Sequence, residues 1–382
     1  MYKIINKKKL VLTAAADALG SVLFGLQRLL RRPGQIRPEE VRDILVIRTA
    51  YMGDVVMTLP MLKPLKERYP DARISFLTAT AAVDVLKNNP FLDEIITFDP
   101  SWFYPGSRDR LIAFIRRMRE RTFDLVIEAR GDIREILCLA YPLRARYRVG
   151  FGFGGGSFLL THVVPYTGVR HKLEYHLDIA RFLGCPVEGV TWGVYLTDEE
   201  KNGVQELLDA NGIRKPFIAV HPGARHELRR WYTDRYARLY DHVVQELGFP
   251  VVILGSPGEK ELADAIIKQM VTKPYSLVGK ATLRQLAGVL SASTLFICNN
   301  SGPMHIAASL KVPTIVLHGP SKTYWDAPYG NPQRIVEKEF PCRRTCDENT
   351  CRNQRYHACM KDIEVKDVQD AVAALLRELK KT

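Results

Sequence analysis

Residues Arg48–Leu62 read RTAYMGDVVMTLPML and place one carboxylate, Asp54, directly after Gly53. An apolar run, DILVI, lies just before them, and apolar residues at helical spacing follow. Asp54 therefore stands where a strand hands over to a helix. Carboxyl ends of parallel strands line the ligand sites of open α/β sheets, and a carboxylate there can take a proton from a hydroxyl. The plain alternative is an acid at a helix start, which stabilises the helix by about 0.5–2 kcal/mol. Both readings remain open on these residues alone.

A second stretch, HPGARHELRRWYTDRYARL from His221, follows the apolar run PFIAV and carries Arg225, Arg229 and Arg230. Guanidinium groups at a strand end suit phosphate oxygens, which they grip with two parallel hydrogen bonds; the alternative is a solvated basic loop. A third stretch, CNNSGPMHIAASL, turns at Asn299, Asn300, Ser301 and Gly302 and begins a helix near Pro303. Backbone N–H groups at such a start bind anions, and His305 falls in the first turn, where a capping or core role is the alternative. In LGSPGEKELADAI, Glu259 is placed to reach a sugar hydroxyl, or simply to favour a helix start. GFGFGGGS, residues 150–157, has dinucleotide-loop spacing, but no clean helix and ribose-binding acid follow. It reads as a flexible loop and disfavours an oxidoreductase.

Four of seven cysteines, Cys342, Cys346, Cys351 and Cys359, crowd together with His357 nearby. Four thiols can hold zinc tetrahedrally, although the spacing C-x3-C-x4-C-x7-C is not a paired C-x-x-C. Disulfides or simple packing are the alternatives. An odd cysteine count in a chain of this size does not describe a secreted disulfide framework.

The elements that position these residues alternate. DILVIR, RISFLT, EIITF, DLVIEA and RYRVGF read as strands, with helices such as Val55–Tyr69 and Leu111–Arg121 between them. After a looser stretch at 186–197 the pattern restarts with PFIAVH, PVVILG, YSLVG, TLFICN and PTIVLHG. This predicts two doubly wound α/β domains facing a cleft. A last amphipathic helix, Val365–Lys380, is expected to pack back across the first domain.

Of 382 residues, 46% are hydrophobic and 55 are Lys or Arg against 42 acids, a net charge of +13. That excess calls for an anionic partner. Nucleic-acid motif signatures are absent, and few aromatics interleave the arginines, which disfavours nucleic acid. The basic residues cluster at the N-terminus, at Arg108–Arg121 and at Arg144–Arg148. Near the N-terminus, Val11, Ala15, Ala18, Leu19, Val22, Leu26, Leu29 and Leu30 make one helical stripe. Thr13, Asp17, Ser21 and Arg28 lie opposite, and Phe24 interrupts that polar face. Asp17, Ser21 and Gln27 argue against a membrane span. Such a helix either lies flat on an anionic leaflet or packs on the body of the protein.

Together these motifs, with RVGFGFGGGSFLLTHVVPY, HKLEYHLDIARFLG, LVGKATLRQLAGVLSASTLFICNNSGPMHIAASL and GPSKTYWDAPYG, resemble the ADP-heptose:lipopolysaccharide heptosyltransferases of glycosyltransferase family 9, over about residues 43–363. The resemblance implies two Rossmann-like domains in the glycosyltransferase B fold. Its expected divisions are an N-terminal extension (1–34), an acceptor-side domain (35–188), a nucleotide-sugar domain (189–363) and a final helix (364–382). It implies inverting transfer of a heptose from ADP-heptose to a lipopolysaccharide core hydroxyl. Asp54 is then the general base, with Gly53, Arg108 and Arg144 on the acceptor side. Arg225, Arg229, Arg230, Glu259, Asn300, Ser301, Gly302 and His305 bind the donor. Arg229 replaces a common Lys of the family, and Asn300 replaces a common Asp. No D-x-D pair occurs among the 21 Asp residues, which fits a reaction needing no metal cofactor. The implied partners are the donor, an anionic glycolipid and the inner-membrane surface, and the implied place is the cytoplasmic face of that membrane. A different nucleotide-sugar transferase, a 2-epimerase or a non-catalytic glycan-binding relative would share the fold.

Overall fold

The computed structural model describes residues 7–30, 34–344, 346 and 349–381, with backbone alone for 7–10, 12, 16, 25–30 and 344. The chain divides into two compact units between Trp192 and Gly193.

In the first unit the apolar runs form β1 (Asp43–Ile47), β2 (Arg73–Thr78), β3 (Glu94–Thr97), β4 (Thr122–Glu128), β5 (Arg144–Phe151) and β6 (His162–Val164). They make one parallel sheet in the order β3-β2-β1-β4-β5-β6. Ile44, Leu45, Val46 and Ile47 are fully buried. Consecutive burial of this kind follows when helices cover both sheet faces, as βαβ crossovers require. The second unit repeats the plan. Its strands are β7 (Ile218–His221), β8 (Val251–Ile253), β9 (Tyr275–Ser276), β10 (Leu295–Asn299), β11 (Thr314–His318) and β12 (Gln333–Glu337). Their order is β12-β11-β10-β7-β8-β9, again parallel. Chain order reverses between β1 and β4 in one sheet and between β7 and β10 in the other. These are the points at which such sheets bind ligands.

Several sequence expectations change. The single helix expected over Val55–Tyr69 is two, Met52–Val56 and Leu62–Arg68, joined by a 3-10 turn at Leu59–Met61. Pro60 lacks the N–H that would continue the first. The final helix, Val365–Leu379, belongs to the second unit. Its buried Val368, Val372 and Leu375 join the second unit's own core with Ile315, Leu317 and Val336.

The segment 150–157 is tightly packed. A Cβ on Gly154 would lie 2.0 Å from the Gly131 carbonyl oxygen, and Gly155 and Gly156 have φ of 92° and 82°. It leads into a 3-10 turn, Ser157–Leu159, and then β6. Its partner is the N-terminal helix, Lys7–Leu30. Asp17 is buried there and accepts the Gly156 N–H at 2.7 Å. Gly20 lies against the Phe158 ring, and Phe24 packs on Tyr141 and Phe158. The face expected to meet water thus meets protein, because the loop's buried N–H needs an acceptor. Lys3, Arg31 and Arg32 lie outside the described residues, as do the side chains of Leu26, Arg28, Leu29 and Leu30.

Candidate active site

Asp54 lies in the short helix that follows β1. The helix N-cap is Tyr51, held at φ 45°, and its N–H donates to the Tyr104 hydroxyl at 3.2 Å. The capping position therefore belongs to another residue. The Asp54 carboxylate instead faces two cations. Arg48, the first residue beyond β1, places Nη2 3.2 Å from Oδ1, and Lys172 places Nζ 3.8 Å from the same oxygen. Arg48 is buried, whereas Lys172 is about one-third exposed. Behind them the Thr58 hydroxyl donates to the Asp54 carbonyl at 2.9 Å and lies 3.4 Å from His176 Nε2. Burial and the nearby Arg48 push the His176 imidazole down to about 3, against a smaller upward pull from Asp54. His176 is thus neutral in the fold at physiological pH.

A pair of buried carboxyl groups supports this turn. Thr49 donates its N–H to Glu135 Oε1 at 3.0 Å and its hydroxyl to the same atom. Glu128 ends β4 and is fully buried beside Glu135. It accepts the N–H groups of Arg130 and Gly131 at 3.1 and 2.7 Å. Burial, then the neighbouring Glu135, raise the Glu128 carboxyl well above the usual carboxylate range, so the pair holds a proton. The unfolded chain gives up that proton above about pH 4.5. The fold therefore loses stability as pH rises from there toward the raised value. The parent's thermal midpoint is expected to fall between pH 5 and pH 8, and the fall is expected to shrink in Glu128→Gln, whose amide cannot ionise but gives up one of the two oxygens that accept backbone N–H groups. Thermal unfolding followed by circular dichroism at both pH values measures it.

Not every expected residue reaches this corner. Gly53 adjoins Asp54 in the helix. Arg108 is exposed on the loop after β3, the same loop that carries Tyr104. Arg144 opens β5 at the amino end of the sheet. An eight-residue strand spans about 25 Å, so Arg144 is at the wrong end to join Asp54. Nearby arginines have structural work: Arg148 donates to the carbonyls of Ala140, Tyr141, Leu143 and Ala145, Arg146 pairs with Glu40, and Arg121 pairs with Glu94.

In the second unit the loops after β7 and β10 flank the reversal point. Arg229 Nη1 donates to the Asn300 carbonyl at 3.1 Å, and Nη2 lies 4.0 Å from Asp326 Oδ2. The Asn300 amide is buried, donates to Ser321 Oγ at 2.6 Å and lies 2.9 Å from His318 Nε2. The carboxylate in this network comes from Asp326 rather than from position 300. Ser301 precedes the helix Gly302–Ser309, and its buried hydroxyl has no partner among the described residues. His305 is buried in that helix's first turn. Arg230 donates to the Ala224 carbonyl at 2.9 Å, and Arg225 is exposed.

Glu259 follows β8. Its Oε2 accepts from the Ser256 N–H and hydroxyl at 2.7 and 2.8 Å and lies 3.4 Å from His221 Nε2. Burial raises its carboxyl, but the hydrogen bond and charge of His221 and the Ser256 donors outweigh burial and bring it down to about 2. Gly223 lies close beside it: a Cβ there would sit 1.7 Å from Glu259 Oε1 and push the carboxylate from this position. A carboxylate with a lowered folded value adds stability above about pH 4.5 that disappears as pH falls toward 2. Glu259→Gln is therefore expected to lower the thermal midpoint at pH 7, with the gap narrowing below about pH 4.5 and closing only near pH 2, as measured by calorimetry.

Cys342, Cys346, Cys351 and Cys359 line one cavity of about 40 Å³, all as free thiols. Both His357 ring nitrogens are engaged, one 2.7 Å from the Leu228 carbonyl and the other 3.2 Å from the Tyr232 hydroxyl. Among the described residues no group of three or more His, Cys, Asp or Glu is arranged to hold a metal ion. The zinc expectation therefore finds no support.

The sequence model of glycosyltransferase family 9 (heptosyltransferase) matches residues 111–357, more than half the chain. Lipopolysaccharide heptosyltransferase 3 of Escherichia coli K12 is 27% identical over 345 residues, covering 86% of this chain and 96% of that protein. The solved glycosyltransferase family 9 protein of Veillonella parvula superposes with a TM-score of 0.77 at 24% identity, covering 90% of this chain and all of that one. E. coli ADP-heptose lps heptosyltransferase II gives a TM-score of 0.71 at 23% identity, covering 88% and 99%. The structural likenesses establish the glycosyltransferase B fold. Two reversed parallel sheets, a carboxylate at one reversal point and an arginine-bearing loop at the other thus accompany a direct family match: the chain belongs to glycosyltransferase family 9 and is a glycosyltransferase.

Proposed function

We propose that the protein transfers a heptose from ADP-heptose to a hydroxyl of the lipopolysaccharide inner core, with inversion and in a single displacement. The observation that carries this reading is the Asp54 carboxylate, fixed at a strand's carboxyl end by Arg48 and Lys172 rather than spent on a helix cap. Asp54 takes the proton of the acceptor hydroxyl as its oxygen attacks the anomeric carbon, and the bond to ADP breaks on the opposite face. The donor diphosphate lies against Arg229, the Ser301 hydroxyl and the start of the helix Gly302–Ser309. Cationic and N–H donors there stabilise the charge that develops on the leaving ADP. Glu259, held as a carboxylate, accepts from the ribose hydroxyls. The proposed acceptor is an anionic glycolipid, and the proposed place of reaction is the cytoplasmic face of the inner membrane. The names of the relatives support the donor and acceptor classes. Among the described residues no helix is long and apolar enough to cross a membrane.

The test is a nucleotide-release assay with a panel of donors and a truncated inner-core acceptor. ADP release that needs both ADP-heptose and acceptor is expected. Turnover with a UDP- or GDP-sugar, and none with ADP-heptose, would replace the heptose reading with another sugar transferase.

A further inference from the structure

We propose that one face of the first unit is a docking surface for an anionic lipid bilayer, built from the N-terminal helix and the groove beside the helix Leu111–Met118. It deepens the reading above, which requires a lipid-borne acceptor. The N-terminal helix is fixed in rotation. Thr13 lies against Gly155, Asp17 binds the Gly156 N–H, Gly20 meets Phe158, and Phe24 meets Tyr141. These positions, spaced four, three and four residues apart, form one helical stripe. Fixing that stripe inward turns the apolar stripe outward: Val11, Leu19, Val22 and Leu23 are 63–77% exposed. A helix held only by hydrophobic burial would be turned the other way.

The second apolar exposure borders the same support. Phe24 packs on Tyr141, and the next residue, Pro142, lines an open groove of about 580 Å³. Leu111, Ile115 and Leu137 line it too, and Arg116 and Arg119 rim it. Ile112 is 79% exposed and Leu137 49%. Arg108, Arg110, Arg116 and Arg119 make no ion pair among the described residues, in contrast to Arg121, Arg146 and Arg148. Soluble surfaces rarely carry contiguous apolar patches without a partner. Apolar side chains rimmed by unpaired arginines match the acyl boundary and phosphate layer of an anionic leaflet. A protein partner would have to supply acids to meet those arginines, whereas a bilayer supplies them continuously.

The experiment is sedimentation of the full chain with vesicles of phosphatidylcholine alone and of phosphatidylcholine with phosphatidylglycerol, at low and high salt. The parent is expected to bind the anionic vesicles, to release at high salt and to bind neutral ones weakly. Arg116→Gln with Arg119→Gln is expected to weaken anionic binding about 30-fold. The pairs Leu19→Asp with Val22→Asp, and Ile112→Asp with Leu137→Asp, are each expected to weaken it at least about tenfold. These apolar side chains are exposed, so the thermal midpoint should stay at the parent value. Turnover on a lipid-free soluble acceptor should also be unchanged in both apolar pairs. Equal binding by the parent and every variant, or no binding by the parent, overturns the proposal. So does concentration-dependent self-association that the apolar pairs abolish while vesicles are ignored, which would assign the face to a second copy of the chain. Failure of turnover with vesicle binding intact would remove the proposed reaction and leave the surface standing.

Discussion

Asp54→Asn is expected to lower kcat by about 10²–10⁴, the usual contribution of a general base, while donor affinity stays close to that of the parent. Asn keeps the shape of the carboxylate but has no oxygen basic enough to take the acceptor proton. The comparison needs a stability control, since Arg48 is buried and loses its counter-charge in this variant. Removing one partner of a buried pair can cost about 3–5 kcal/mol. Assays should therefore run well below the variant's own melting temperature. ADP release gives the rate, and calorimetric titration with a non-transferable donor analogue gives the affinity. A rate within a few-fold of the parent would leave Asp54 as an ordinary first-turn acid. Joint loss of rate and donor affinity would point to general damage instead.

Arg229→Ala is expected to lower kcat/KM for the donor by about 10²-fold or more, the scale seen when one donor to a developing anion is removed. Arg229 spans two contacts with separate nitrogens, the Asn300 carbonyl and Asp326. Arg229→Lys retains the charge but offers a single ammonium. It should recover much of the kcat/KM lost in the Ala variant without reaching the parent. Varying the donor at saturating acceptor separates the two. An Ala variant with unchanged donor kinetics would confine Arg229 to bracing the loop after β10.

The alternation of apolar runs and helical spacing was enough to read most strands. RISFLT is β2 to the residue, and DILVIR overshoots β1 by one. The strands that went unread are β6, with three residues, and β12, which has Gln and Glu at its ends. Both are sheet edges, and edge strands carry weaker apolar patterns because one flank lacks a neighbour. In the candidate site, Asp54 and Arg229 stood out because each follows a strand. Arg48, Lys172 and His176 did not. Arg48 looks like the polar end of a strand, and the other two lie on a helix more than a hundred residues away. Only the packing of that helix beside the turn after β1 brings them to Asp54. The buried Glu128–Glu135 pair was unreadable for the same reason. The inverted setting of the N-terminal helix was hidden by a correct reading of its amphipathicity. That pattern tells which residues share a face, whereas Asp17 and the glycine loop decide which face turns inward.

The clearance of 1.7 Å between a Cβ at Gly223 and Glu259 Oε1 constrains how this enzyme can change. While Glu259 keeps its bonds to Ser256, even alanine at position 223 pushes that carboxylate aside. Once Glu259 is shortened, the space it leaves can be filled from position 223. The two sites are therefore coupled, and a search that varies residues singly will undervalue changes at 223 that become easier after 259 has been shortened. Lineages or laboratory libraries that adopt a different nucleotide meet the two positions as one unit.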